Sequence, residues 1–187
     1  VQGAGTAIGG DSVCGIQLLN CSNIEISGFT FRGCYTTGTD VDRVRSQGSG
    51  VVSQGGSGNF VVDCSFVDCV AVQGGAIAGF CADADLTPNG SGEISAVRCF
   101  FSNCWSHQNT DAHIAWNANL YYCVIARTYN PNHGAVRACT LVNCTFGNAR
   151  FHHFMSLSAA YNTLFARSTF RLGASKSSDS VYRCIES

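Results

Sequence analysis

Short segments of this chain alternate apolar and polar residues with a period of two. Ile24-Glu25-Ile26 and Cys64-Ser65-Phe66 are examples, and Gly, Asn, Asp and Ser cluster between such segments. A period of two is the pattern of a β-strand that buries one face, and the clustered residues favour turns. The pattern therefore predicts an all-β chain made of many short strands.

The alternating segments form a repeat. Gly15 to Cys34 aligns without a gap on Gly50 to Cys69, which brings Phe31 opposite Phe66. We name the large apolar residue at this place the anchor of its repeat. The predicted anchors are Phe31, Phe66, Phe101, Ile125, Phe146 and Phe170, separated by 35, 35, 24, 21 and 24 residues. A step of 21 to 24 residues fits one coil of three short strands.

Strands this short cannot bury their apolar faces alone. Stacking coil on coil buries the faces in one continuous core, which is the principle of a solenoid. The longer steps hold about 11 extra residues each, which we predict to be loops inserted in the N-terminal coils. The polar stretches Thr36–Ser49 and Cys81–Gly92 are these predicted loops.

The residues two places after the anchors predict a turn. Gly, Asp and Asn accept the left-handed backbone conformation, and they occupy most of this column. Its predicted members are Gly33, Asp68, Asn103, Arg127, Asn148 and Leu172. Arg127 and Leu172 are the exceptions to the pattern.

The composition suits one domain over residues 1–187. Of the 187 residues 45% are hydrophobic, which is enough for a continuous core, and only 12% are charged. No apolar run is long enough for a membrane span, and no signal peptide is visible, so we expect no membrane insertion by this segment. A chain that begins at Val1 is expected to be processed or cut from a longer one.

The net charge of −1 conceals an asymmetry. Residues 1–126 contain 4 Arg and 10 Asp or Glu, whereas residues 127–187 contain 7 Arg or Lys and 2 Asp or Glu. The N-terminal part is therefore acidic and the C-terminal part basic. The pattern is typical either of scattered surface charges or of two surfaces that attract each other.

Several segments carry a family resemblance. They are NCSNIEISGFTF and VQGAGTAI, the motif Phe-x-x-Asn at Phe100 to Asn103, and the motif Gly-Gly-Ala-Ile at Gly74 to Ile77. With these segments the chain resembles the right-handed parallel β-helix repeats of pectate-lyase-like proteins and of polymorphic outer-membrane adhesins. The resemblance implies an all-β, right-handed parallel β-helix of about six or seven coils.

The chain contains 12 cysteines, and the repeat places seven of them in two columns. One column lies two places before the anchors and the other three places after them. The first holds Cys64, Cys99, Cys123 and Cys144, and the second holds Cys34, Cys69 and Cys104. These thiols are expected to pack as inward core columns, and disulfides between adjacent coils are the alternative. The recurrence of the spacing with the coil argues against a metal site, so we predict no metal and no cofactor.

Two short motifs suggest an enzyme. Asn109-Thr110-Asp111 and His133-Gly134 match motifs of the polygalacturonase branch of this fold. An inverting hydrolase needs a second carboxylate, and the coils after Asp111 offer none before Asp179. Asp111 and His133 therefore remain candidates for an alternative function, a polysaccharide lyase or glycoside hydrolase or a fragment of one.

The favoured function is a non-catalytic structural or adhesive module, outside the cell or at its surface. Head-to-tail stacking into filaments would use copies of this chain or adjacent β-helix segments as partners. Surface glycans are a further predicted partner, and nucleic acid is not. The candidate binding residues are Trp105, Tyr35, Phe80, Arg98 and Arg167. Arg98 and Arg167 are predicted to share one outward column.

Overall fold

The structure is a computed structural model. It describes residues 14–36, 48–71, 75–80, 93–106, 114–130, 134–151, 155–156, 158–168, 180–182 and 185–186. The regular secondary structure of this part is entirely β-strand, which confirms the all-β prediction. None of it forms a helix long and apolar enough to cross a membrane.

The strands are two to four residues long. In chain order they are β1 (Ile16–Leu19), β2 (Glu25–Ser27), β3 (Thr30–Arg32), β4 (Val51–Gln54), β5 (Asn59–Val62), β6 (Ser65–Val67), β7 (Val70–Ala71), β8 (Ile77–Phe80), β9 (Ile94–Val97), β10 (Phe100–Ser102), β11 (Trp105–Ser106), β12 (Ala115–Trp116), β13 (Ala118–Tyr121), β14 (Val124–Ala126), β15 (Tyr129–Asn130), β16 (Val136–Arg137), β17 (Thr140–Val142), β18 (Thr145–Gly147), β19 (Arg150–Phe151), β20 (Met155–Ser156), β21 (Ala159–Tyr161), β22 (Leu164–Ala166), β23 (Ser180–Tyr182) and β24 (Ile185–Glu186).

Three long parallel sheets contain most of these strands. Sheet A has the order β1-β4-β8-β12-β16-β20, sheet B the order β2-β5-β9-β13-β17-β21-β23, and sheet C the order β3-β6-β10-β14-β18-β22-β24. The chain visits A, then B, then C, and returns to A beside the strand it left, so each repeat stacks on the one before. Two short sheets, β7-β11 and β15-β19, follow sheet C. Long stacks of parallel strands of this kind are compatible with a parallel β-helix.

The anchors are stacked on one another in the centre of the core. Phe31, Phe66, Phe101, Ile125 and Phe146 lie in register on successive strands of sheet C and are fully buried. The rings of Phe31 and Phe66 stack with their centroids 4.9 Å apart, and those of Phe66 and Phe101 with theirs 4.8 Å apart. This separation is the spacing of neighbouring strands, so in-register pairing itself brings the rings into contact.

The last predicted anchor is wrong. Phe146 pairs with Phe165, whose ring centroid lies 5.3 Å from that of Phe146, whereas Phe170 lies outside the described residues. The final step is therefore shorter than the alignment assumed. Arg167, and not Leu172, then occupies the turn position two places after the anchor.

The turn column after sheet C is confirmed. Its members have left-handed backbone, with φ from 50° to 62°. They are Gly33, Asp68, Asn103, Arg127, Asn148 and Arg167. An equivalent column between sheets B and C contains Asp63, Arg98 and Tyr122, also with positive φ. Arg98 and Arg167 therefore lie in different turns, and the prediction that they share one column is wrong.

Sheet A is covered on both faces. Besides its core-facing residues, its outward residues Val52, Ala78 and Trp116 are buried and form a second apolar cluster. Arg137 continues this outward column, is also buried, and places its guanidinium 5.3 Å from the centre of the Trp116 ring. The exposed surface of the described part is therefore carried mainly by sheets B and C and by the turns.

Candidate functional site

The candidate catalytic residues have no described geometry. Asp111 and His133 both lie outside the described residues. Phe80 is the last residue of β8 and pairs with Gln54, but its side chain is likewise outside the described part. The described residues that could carry a function lie in the cysteine columns, in the exposed turns and at the ends of the stack.

All seven cysteines of the two columns are buried. Thiols of both columns donate to backbone carbonyls: Cys99 Sγ lies 3.3 Å from the Val61 oxygen, and Cys104 Sγ lies 3.4 Å from the Phe66 oxygen. The ten described cysteines are free thiols. No group of three or more His, Cys, Asp or Glu in the described residues is arranged to hold a metal ion.

Thiols also contact one another along the columns. Cys69 is hydrogen-bonded to both Cys104 and Cys34, and its hydrogen bond with Cys104, together with burial, raises its pKa to about 12. Contacts with Cys144 and Cys99, together with burial, raise the pKa of Cys123. A protonated, buried thiol such as that of Cys69 is a poor nucleophile and a poor metal ligand.

Hydroxyl side chains take the cysteine positions beside the last described anchor, Phe165. Thr163 lies two places before the anchor Phe165, is buried, and donates to the Tyr161 oxygen at 3.2 Å. Ser168 lies three places after the same anchor and donates to the Phe146 oxygen at 3.1 Å. Small hydrogen-bond donors can therefore replace the thiols. This substitution pattern fits a core-packing role for the cysteines.

Arg98 is engaged in an ion pair. Its Nε lies 2.7 Å from Asp63 Oδ1 and its Nη2 lies 2.8 Å from Asp63 Oδ2, so the pair is bidentate. The guanidinium lowers the pKa of the Asp63 carboxyl. Both side chains are more than half exposed, and the pair bridges two successive turns. Arg98 is thus already partnered, in a turn remote from the other candidates.

Trp105 and Tyr35 belong to one column beyond sheet C. Tyr35 pairs with Val70, and Val70 pairs with Trp105. β15 lies next to β11 and brings Tyr129 to the following position, and Tyr129 pairs with Arg150. Trp105 is 39% exposed and Tyr129 is 57% exposed. Tyr129 and Arg150 were not predicted, because two-residue strands carry no recognisable period.

The basic end of this column adjoins two further arginines. Arg127 lies two residues before Tyr129, and Arg167 occupies the same turn column two repeats later. Arg127, Arg150 and Arg167 are exposed, and none has a carboxylate within ion-pair distance in the described part of the chain. The Arg150 guanidinium lies 5.6 Å from the centre of the Tyr129 ring. We call the set Trp105, Tyr129, Arg127, Arg150 and Arg167 the aromatic–arginine edge.

Among the described residues, the first repeat is the N-terminal end of the stacked strands. Within the described residues β1, β2 and β3 each pair with a strand on one side only. Phe29 lies at the cysteine-column position of this repeat, as its backbone N–H contact with Cys64 Sγ at 3.4 Å shows. The column is buried in the repeats that follow, yet Phe29 is 39% exposed. In the described part of the chain, its exposure therefore marks an open end of the core.

No protein-family model matches this chain, and no curated protein or solved structure matches it either.

Proposed function

We propose that the chain is a right-handed parallel β-helix of six or seven coils that acts as a non-catalytic building block outside the cell or at its surface. In this proposal copies of the chain stack head to tail, so that the core of one copy continues into the next. The observation that carries the proposal is the open first repeat, where Phe29 is exposed although its column is otherwise buried.

The edges of the end strands supply the backbone part of the contact. A strand that pairs on one side presents a row of N–H and C=O groups that another strand can satisfy. In the described part β1, β2 and β3 present such edges at one end, and β20, β23 and β24 present them at the other. A contact between two different ends does not close on itself, and such contacts generate open filaments.

The charge distribution favours the same polarity. Residues 1–126 carry 4 Arg against 10 Asp or Glu, and residues 127–187 carry 7 Arg or Lys against 2 Asp or Glu. Because the stack runs along the chain, an acidic end meets a basic end in a head-to-tail contact. Attraction between exposed charges is screened by salt, so assembly should weaken as the ionic strength rises.

Assembly can be tested by sedimentation and negative-stain electron microscopy at low and high salt. The test variant is Phe29→Arg, which places a cation on the open end. The matched control is Phe100→Arg, because Phe100 is equally exposed, at 39%, but lies on the outward face of sheet C. We expect filaments from the parent chain and the control, and short particles from Phe29→Arg. Monomers of the parent chain at low salt and high concentration would refute the proposal.

A further inference from the structure

We infer that the aromatic–arginine edge binds an acidic glycan, a chain of sugars that carries carboxylate or sulfate groups. This surface is distinct from the stacking ends, and the inference goes beyond the proposed assembly. It rests on three features of the edge: exposed aromatic rings on neighbouring repeats, arginines beside them that lack carboxylate partners in the described residues, and the regular spacing of the repeats.

The aromatic rings supply the apolar part of the site. Trp105 is 39% exposed and Tyr129 is 57% exposed. The anchors of the same two repeats, Phe101 and Ile125, are fully buried. Sugars have an apolar face of C–H groups and a polar rim. They pack their faces on aromatic rings, and the Trp N–H and Tyr O–H bind their hydroxyls. Two such rings on neighbouring repeats form a platform for consecutive sugars.

The arginines define the charge of the ligand. Arg127, Arg150 and Arg167 lie on three successive repeats and are exposed. A guanidinium binds a planar carboxylate, or an oxyanion such as sulfate, through two parallel hydrogen bonds. The stacking of Arg150 on Tyr129 holds one guanidinium beside the platform. The edge therefore fits a ligand that alternates apolar faces with anionic groups.

Spacing favours an extended polymer. Successive repeats rise by about 4.8 Å, so the four repeats from Trp105 to Arg167 span about 14 Å. That rise is close to the length of one sugar residue in an extended chain. Each repeat can then meet one sugar, and the ligand runs parallel to the stack.

In the N-terminal part of the same column the platform is interrupted between Tyr35 and Trp105. Asp68 takes the turn position there and is bound by Asn103 Nδ2 at 2.9 Å, with Arg32 Nη1 at 3.8 Å. Val70, which is buried, replaces the aromatic residue of that repeat. The acidic residue and the interrupted platform confine the site to the repeats from Trp105 onward.

Substitutions can remove each feature without disturbing the turn. Arg127 and Arg167 have φ of 54° and 50°, and Asn occupies the equivalent positions 103 and 148, so Arg127→Asn and Arg167→Asn keep the backbone. Arg98→Asn is the matched control, because Arg98 has φ of 53° but lies in the other turn. Tyr129→Ala and Trp105→Ala remove the platform, and Phe60→Ala, on sheet B, controls for loss of an exposed aromatic ring.

Binding is measured by isothermal titration at low salt with short-chain hyaluronate, which carries carboxylates, and heparin, which also carries sulfates. Neutral dextran, poly-glutamate and an oligodeoxythymidylate are the comparison probes. We expect at least one acidic glycan to bind, and Tyr129→Ala and the double variant Arg127→Asn with Arg167→Asn each to weaken binding by about tenfold. The two control variants should stay within about twofold of the parent chain.

Three outcomes would overturn the inference. The first is that neither acidic glycan binds. The second is that poly-glutamate or the oligonucleotide binds as tightly, since charge or stacking alone would then suffice. The third is that the edge variants bind as the controls do. Filament formation is scored on the same samples by sedimentation, so loss of glycan binding and loss of assembly are distinguishable.

Discussion

Deleting one ring from the anchor stack should destabilise the whole chain. Phe66 is fully buried between Phe31 and Phe101, with ring centroids at 4.9 Å and 4.8 Å and nearly parallel planes. Phe66→Ala removes a buried ring and leaves a cavity, which costs about 3–5 kcal/mol in protein cores. Because both neighbouring ring pairs are lost, and each adds about 0.5–1.5 kcal/mol, we expect a loss near the upper end of that range.

Phe60→Ala is the matched control for this change. Phe60 lies in the same repeat, but it is 43% exposed on the outward face of sheet B. Surface substitutions of this kind change stability by about 0.5 kcal/mol or less, and partial burial of the ring makes about 1 kcal/mol the upper limit here. The free energy of unfolding of both variants can be measured by urea denaturation followed by circular dichroism.

The coupling between neighbouring rings gives a sharper test. In a double-mutant cycle of Phe66→Ala with Phe101→Ala, the second substitution should cost less than it does alone, by about 0.5–1.5 kcal/mol. Equal losses for Phe66→Ala and Phe60→Ala would refute the inward stack. Full additivity of Phe66→Ala and Phe101→Ala would show that the two rings are not in contact.

Three further predictions concern the thiols, the turns and the glycines. Burial raises the pKa of Cys139 to about 12 from 9.0, so its stabilising contribution is complete below pH 9. The contribution of Cys139 to the free energy of unfolding should decline by about 1.4 kcal/mol per pH unit between pH 9 and 12. The slope can be measured from urea midpoints at several pH values, and Cys139→Ala should make it less steep. Arg127→Val should lower the stability measured by thermal unfolding by about 1–2 kcal/mol, because a β-branched residue does not readily adopt the φ of 54°. Arg127→Asn should leave the stability unchanged, and equal melting temperatures of the two variants would contradict the left-handed turn. Gly50→Ala should cost about 1–3 kcal/mol, since its Cβ would lie 2.5 Å from the Phe66 ring, and an unchanged urea midpoint would contradict that approach.

The sequence predicted the stacked strands because every repeat carries the same signals. An alternating segment places the anchor inward, and a Gly, Asp or Asn two places later turns the chain. Arg127 was an exception to that composition, yet its φ is 54°. Register in a stack is set by the pairing of the strands on either side, so one unsuited residue takes the conformation of its neighbours.

The anchor of the last repeat was mispredicted because different residues flank it. Cysteine flanks the earlier anchors, whereas Thr163 and Ser168 flank Phe165, and the segment around Phe170 also alternates. A signal was present: Asn143 and Asn162 both precede the column residue, and both have positive φ. Aligning on the turn residue together with the donor would have found the shorter step.

The aromatic–arginine edge was only partly predictable. Trp105 and Arg167 were singled out by residue type, but their relation depends on the lengths of the steps between repeats. Tyr129 and Arg150 enter through β15 and β19, each two residues long. Their neighbourhood follows only from the register of the whole stack, which a local pattern does not encode.

The cysteines follow from the geometry of the corners rather than from a need for cross-links. At most corners a residue with positive φ is followed by a small donor, which bonds the carbonyl two places before it. Cys64 bonds the Val62 oxygen at 3.3 Å, and Thr163 bonds the Tyr161 oxygen at 3.2 Å. A corner that faces the core takes a small side chain, as the buried Ala118 and Ala149 show, and cysteine is small and apolar and can also donate a hydrogen bond. Cysteine abundance in this stack therefore reflects the number of inward corners, and it does not by itself require disulfides or an oxidising compartment.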